Sequence, residues 1–222
     1  MKPIVLFGGT YDPVHYGHVT MAFGATPLLL EKIILLPAGN PYQRGRLPFA
    51  SGEDRVAMLE LAFKGFPAPV EIDPRELARQ GPTYTIDTLL EMRREVGPEQ
   101  SLVWLMGSDA FAKLDTWHRW QELFTLAHFA VLHRKSEPPA LTVASGALQV
   151  FLRDRNKPHR TLDTPAGNYV FLPTNVPDIS STDIRARIAK HESIRELVQD
   201  AVCDYIEQHK LYRSEEKNQV GH

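Results

Sequence analysis

Cysteine is nearly absent from this 222-residue chain: Cys203 stands alone. One thiol makes neither an intrachain disulfide nor a zinc cluster, so neither a disulfide scaffold nor a Cys-based metal fold is available. Long apolar runs are missing too. The N-terminal run ends at Gly8-Gly9, too short for a signal peptide, and residues 28–36 are interrupted by Glu31 and Lys32. The expected location is therefore cytoplasmic, with no membrane partner. Net charge is also small, at −2. A chain that coats nucleic acid carries a basic excess, so any anion bound here must meet a local cluster of donors. Repeats and low-complexity tracts are lacking. Hydrophobic content of 43% and charged content of 23% exclude a disordered chain, a collagen fibre and a coiled-coil rod. The length suits one α/β domain, expected over 1–213, with 214–222 a polar tail.

Six short apolar runs are present, each followed by a turn signal or a polar stop: 4–7, 33–36, 70–72, 102–106, 129–132 and 169–172. Strands buried on both faces read this way. Helical patterns lie between them at 19–30, 53–63, 85–96 and 117–126. Gly24 and Pro27 shorten or bend the first. Val56, Leu59 and Phe63 mark the expected inner face of the second. Two further helices, 181–190 and 194–209, close the chain. A helix over 141–152 and a long loop over 153–167 are expected in the remaining stretch. Alternating strands and helices predict a Rossmann-like open parallel sheet, helices on both faces, and a helical C-terminal part.

The first chemistry-bearing motif is Gly8-Gly9-Thr10-Tyr11-Asp12-Pro13-Val14-His15-Tyr16-Gly17-His18. It follows the first strand and opens the first helix, where open parallel sheets bind ligands. Gly8 and Gly9 let backbone N–H groups approach phosphate. His15 and His18, three apart, share a helical face and can donate to a polyphosphate near the helix N-terminus. A surface turn, or a His-x-x-His metal half-site, has the same letters. The motif lacks the Gly-x-Gly-x-x-Gly pattern and the Gly-Lys-Ser/Thr ending, so it is neither a dinucleotide fingerprint nor a P-loop. The second motif is Ile179-Ser180-Ser181-Thr182-Asp183-Ile184-Arg185. It reads as a plain N-cap, as an anion cradle with Arg185 one turn in, or as both. Gly107 and Asp109 follow the fourth strand and suit a ribose, or a strand-to-helix turn capped by Asp109. Thr83-Tyr84-Thr85 opens a helix whose free N–H groups suit a carboxylate. Trp117 offers a flat face to a ring or packs with Trp120. Asp87 complements the helix dipole.

The two motifs together resemble the nucleotidylyltransferase superfamily of α/β phosphodiesterase fold. Within it, the chain is similar to the bacterial nicotinate-nucleotide adenylyltransferases over residues 3–213. The carriers of that narrower likeness are Gly81-Pro82-Thr83-Tyr84-Thr85-Ile86-Asp87-Thr88-Leu89, Gly107-Ser108-Asp109, Thr116-Trp117-His118, and the ending from Tyr205-Ile206 through Leu211-Tyr212-Arg213. The resemblance implies adenylyl transfer from ATP to nicotinate mononucleotide, giving deamido-NAD and pyrophosphate, with Mg²⁺ carried by ATP. It implies that His15, His18 and Arg185 serve catalysis on the triphosphate. Gly8, Gly9, Thr10, Gly107, Asp109, Ile179, Ser180 and Ser181 would complete the ATP site. It places the nicotinate carboxylate at the Tyr84 and Thr85 amides, with Trp117 under the pyridine and Arg134 beside it. Asn40 and Arg44 would hold the mononucleotide phosphate, and Gln43 stands where the family has histidine. A monomer or a homodimer is expected. Other acceptors, nicotinamide mononucleotide or phosphopantetheine, and a non-catalytic nucleotide-binding module are the alternatives.

Overall fold

All six apolar runs form strands: β1 (Ile4–Gly9), β2 (Lys32–Pro37), β3 (Val70–Ile72), β4 (Leu102–Gly107), β5 (His128–Arg134) and β6 (Tyr169–Val176). The computed structural model describes residues 2–40, 47–134, 140–156 and 162–213. The strands make one parallel sheet in the order β3-β2-β1-β4-β5-β6. Alternation along β1 shows why the runs read as continuous hydrophobics. Val5 and Phe7 enter one core; Ile4 and Leu6 enter the other.

Helices cover both faces. The first core takes α1 (Tyr16–Gly24), α2 (Gly52–Ala62), α8 (Ser181–Ala189) and α9 (Asp200–Gln208) through Met21, Met58, Ile184 and Val202. The second takes α3 (Thr85–Val96), α5 (Trp120–Leu126) and α7 (Gly146–Leu152) through Leu89, Phe124 and Leu148. Short helices α4 (Ser108–Phe111) and α6 (Ala140–Val143) complete the series among the described residues. None of the described helices is long and apolar enough to cross a membrane.

Several helix boundaries differ from expectation, most of them for a local reason. The first helix starts at Tyr16 and ends at Gly24; a 3-10 turn over Thr26–Leu28 follows, with Pro27 in it. The helix expected over 117–126 starts only at Trp120, because Arg119 takes a left-handed φ of 53° as its cap. The stretch 141–152 is two helices, since the Ser145 side chain accepts from Leu148 N at 3.1 Å and starts α7 anew. The helix expected from 194 begins at Asp200. The Leu197 carbonyl is taken by the N–H of Tyr16 at 3.0 Å, and Gln199 is extended. In α2 the inward stripe is Arg55, Met58, Leu59 and Ala62, rotated from the expected one, so that Val56 is only half-buried.

Sheet order reverses between β1 and β4, the two strands that start at the sheet's centre. Their pairing runs only from Ile4↔Leu102 to Leu6↔Trp104. Beyond it, Gly8 and Gly9 pair with β2 alone. The carboxyl ends of β1 and β4 thus part and leave a crevice at the switch point.

Candidate active site

A cleft of about 270 Å³ occupies that crevice. Its phosphate-loop side is Gly8, Gly9, Thr10, Tyr11, His18 and Ser181; Gly107 and Asp109 face it from β4 and α4; Thr83, Thr85 and Trp117 close the far end. Larger space does not mark the site. A cavity of about 390 Å³ between α8 and α9, around Ile194 and Cys203, contains none of the expected residues.

Trp104 forms part of the floor. A Cβ on Gly8 would stand 2.7 Å from its ring, so only glycine brings the backbone this close. The loop then turns at Tyr11, which has φ 51° and is buried, with its hydroxyl donating to the Phe7 carbonyl at 2.6 Å. Burial, and the nearby Glu76, push the Tyr11 pKa well up, so the phenol keeps this proton. Asp12 holds the next step. Its carboxylate accepts from Phe49 N at 2.8 Å and Ala50 N at 3.0 Å.

His15 and His18 do meet, but in different roles. His15 is 3% exposed and sits at the N-cap of α1, behind the cleft wall. Its backbone N–H donates to His18 Nδ1 at 3.3 Å, and the two rings lie 3.8 Å apart. An accepting Nδ1 places the proton of a neutral ring on Nε2. His18 therefore offers an N–H donor, and it is His18 that lines the cleft. A Cβ on Gly17 would press 2.9 Å from the His15 ring.

The second motif serves as both cap and tether. Ser180 Oγ accepts from Asp183 N at 3.1 Å and caps α8. Ser181 Oγ donates to the Pro13 carbonyl at 3.0 Å and lines the cleft. Ile179 and Ser180 lie outside the lining. Arg185 also lies outside it, buried against the rear of the phosphate loop. It donates from Nη1 to the Asp12 carbonyl and from Nη2 to Thr182 Oγ1 at 3.2 Å, with its guanidinium 4.6 Å over the Phe49 ring.

At the other wall Gly107, not Asp109, caps α4, and the Asp109 carboxylate lies over Gly107 at the mouth. Tyr84 stands at the N-cap of α3 with no side-chain capping bond, and its ring lies tilted by 38° against that of His118, centroids 4.6 Å apart. Thr85 and Trp117 line the cleft; Tyr84 does not. Asn40 stands just behind. It accepts from Thr83 N at 2.8 Å and its own N–H donates to Thr83 Oγ1 at 3.2 Å, tying the end of β2 to the start of α3. Arg44 lies outside the described residues. Arg134 ends β5, and its side chain lies outside the described atoms.

Sequence reasoning missed Glu76. It follows β3, is 4% exposed, lines the cleft and accepts from Thr88 Oγ1 at 2.6 Å. Burial pushes its pKa up, against the pull of Thr88 and Arg79. Its place at the carboxyl end of a strand was the available signal.

A family model described as cytidylyltransferase-like matches residues 6–187. The chain is 43% identical over 216 residues to "Probable nicotinate-nucleotide adenylyltransferase" of Dechloromonas aromatica (strain RCB), covering 96% of this chain and 99% of the relative. It is 45% identical over 218 residues to the protein of the same name from Laribacter hongkongensis (strain HLHK9), covering 96% and 95%. The chain belongs to the nicotinate-nucleotide adenylyltransferase family. Its fold is shared with a solved structure of Plasmodium falciparum nicotinic acid mononucleotide adenylyltransferase complexed with NaAD, at TM-score 0.69 and 18% identity, covering 96% of this chain and 98% of that one. His18 and Ser181 line one wall of the cleft, and Gly107, Asp109, Thr85 and Trp117 the other.

Proposed function

We propose that this chain transfers the adenylyl group of MgATP to nicotinate mononucleotide, releasing pyrophosphate and forming deamido-NAD. The observation that carries the reading is the family match over 96% of the chain; the cleft at the β1/β4 switch point, lined by His18, Ser181, Asp109, Thr85 and Trp117, supports it.

An oxygen of the acceptor's phosphate attacks the α-phosphorus of ATP. The bond from that phosphorus to the bridging oxygen breaks, and pyrophosphate leaves with the electron pair. No protein nucleophile takes part, so the protein's work is placement and charge stabilisation. His18 Nε2–H and the backbone around Gly8 to Tyr11 donate to phosphate oxygens, with the N-terminus of α1 adding its dipole. His15 sets the tautomer of His18 from behind. Arg185 brings positive charge to the rear of the same loop. Asp109 accepts from a ribose. A divalent cation carried by the nucleotide, Mg²⁺ in this reading, would neutralise phosphate charge beside these donors. Asn40, Arg44 and Arg134 complete the acceptor's site.

Acceptor choice rests on the start of α3. Its uncapped N–H groups favour an anion, so the carboxylate of nicotinate fits better than a neutral amide. Trp117 takes the pyridine face. The test is pyrophosphate release with ATP and Mg²⁺ on nicotinate mononucleotide and nicotinamide mononucleotide side by side. A strong preference for the acid is expected. Equal rates would leave the transferase and remove the carboxylate site; no release with either would remove the reading.

A further inference from the structure

Arg55 occupies a place the proposed chemistry does not use. It sits on the inward stripe of α2 and is 3% exposed. A guanidinium stays charged inside a protein, so burying one demands acceptors. Its Nη1 finds two, both backbone carbonyls: Thr10 at 2.9 Å and Ala38 at 2.7 Å. Its Nε is buried with no hydrogen-bond partner. Thr10 follows β1, Ala38 follows β2, and both residues line the cleft. The Ala38 N–H donates to the Gly9 carbonyl at 2.9 Å. One helix residue therefore braces the two loops from behind, beside the direct bond that joins them.

Peptide geometry says what else is fixed. Across a trans peptide the N–H points opposite to the C=O, and neither the Thr10–Tyr11 nor the Ala38–Gly39 bond is cis. Drawing the Thr10 carbonyl onto α2 turns the Tyr11 N–H away from α2. Drawing the Ala38 carbonyl there turns the Gly39 N–H away too. Neither N–H has an acceptor among the described residues. Tyr11 is 1% exposed and lines the cleft, and Gly39 is half-buried beside it; an unpaired N–H in buried backbone is rare and points to a ligand.

We propose that Arg55 is a positioning residue for adenylyl transfer: by holding the Thr10 and Ala38 carbonyls it aims the Tyr11 and Gly39 N–H groups at phosphate oxygens and sets the spacing of the two substrates. The proposal rests on the function above, because it needs two phosphate-bearing substrates in line. Burial lowers the Arg55 pKa, and the Asp12 carboxylate opposes that shift only in part.

The test uses Arg55→Met and Arg55→Lys in the full chain. Pyrophosphate release gives kcat and KM, and calorimetry gives Kd for ATP alone and for nicotinate mononucleotide alone. Arg55→Met is expected to lose about 100-fold in kcat, the scale of an ångström of misplacement, while each single-substrate Kd moves less than about threefold. Arg55→Lys keeps a cation with a shorter reach and recovers about tenfold of that loss. A purely structural Arg55 would lower the unfolding temperature and leave kcat per folded molecule unchanged; that result overturns the proposal. So does a loss of single-substrate affinity in step with kcat. Should Arg55→Met fail to fold, Arg55→Lys decides alone. A kcat about tenfold below wild type with both Kd values kept supports the strut, and wild-type kcat overturns it. A wild-type chain that releases no pyrophosphate fails the functional reading instead, before any variant is compared.

Discussion

The two ends of the cleft are built differently. The phosphate end is tied together from distant parts of the chain. Ser181 holds the Pro13 carbonyl, Arg185 the Asp12 carbonyl, Asp12 the N–H groups of Phe49 and Ala50, and Leu197 accepts from Tyr16. Fixed donors of this kind need no rearrangement as charge develops on a phosphate. The acceptor end is held by bonds over shorter spans of chain than those of Ser181 and Arg185, the paired ones between Asn40 and Thr83 and the one from Thr88 to Glu76, and by ring contacts of Tyr84 and packing of Trp117. A triphosphate is common to every nucleotidyl transfer, whereas the acceptor changes between subfamilies. Rigid construction goes with the shared part, and side chains on connecting segments go with the part that varies.

The sharpest way to break this contrast is His18→Ala. Removing one aimed donor from a phosphate site is expected to cost roughly 10²–10³ in kcat. The ring is half-buried, so circular dichroism should show a folded chain. Pyrophosphate release near the wild-type rate would take His18 out of the mechanism and leave the phosphate end without its principal side-chain donor.

Trp117→Ala tests the other end and should do something smaller and different. Losing an aromatic platform costs about 1–3 kcal/mol per stacked ring. KM for nicotinate mononucleotide should rise by about tenfold or more, while KM for ATP holds. A rise in both would show that Trp117 serves the shape of the whole cleft and not one ligand.

The same contrast explains what the sequence made legible. Strands were readable because the central ones are buried on both faces and all are closed by a turn or polar residue, although the edge strands β3 and β6 are partly exposed. The phosphate loop was readable because its glycines end β1 and its histidines stand at the start of α1. The starts of α3 and α8 were readable too, but that of α9 was not: periodicity over residues 194–209 cannot show that Leu197 spends its carbonyl on Tyr16. Arg55 and Glu76 were missed for a related reason. Charged side chains are exposed by default, and only the packed fold shows two of them turned inward. Arg185 carries the right charge at the right distance along α8, yet its bond to the Asp12 carbonyl depends on a loop 173 residues earlier.

Glu76→Gln gives the smallest effect and bears on why the acceptor end holds a buried acid. Its carboxyl pKa is raised in the folded chain, chiefly by burial. Between the unfolded pKa and the raised folded one, the native state binds more protons than the unfolded state. Stability due to this group therefore falls as pH rises through that window, and the ionised form is the costly one above it. A glutamine of the same shape removes that cost. The unfolding temperature of Glu76→Gln relative to wild type should climb as pH is raised from 4 to 7, with the Thr88 hydroxyl still hydrogen-bonded. A flat difference across that range would mean the charge is compensated by Arg79 and the Thr88 hydroxyl. Glu76 would then belong with the fully tied phosphate end and not with the looser acceptor end.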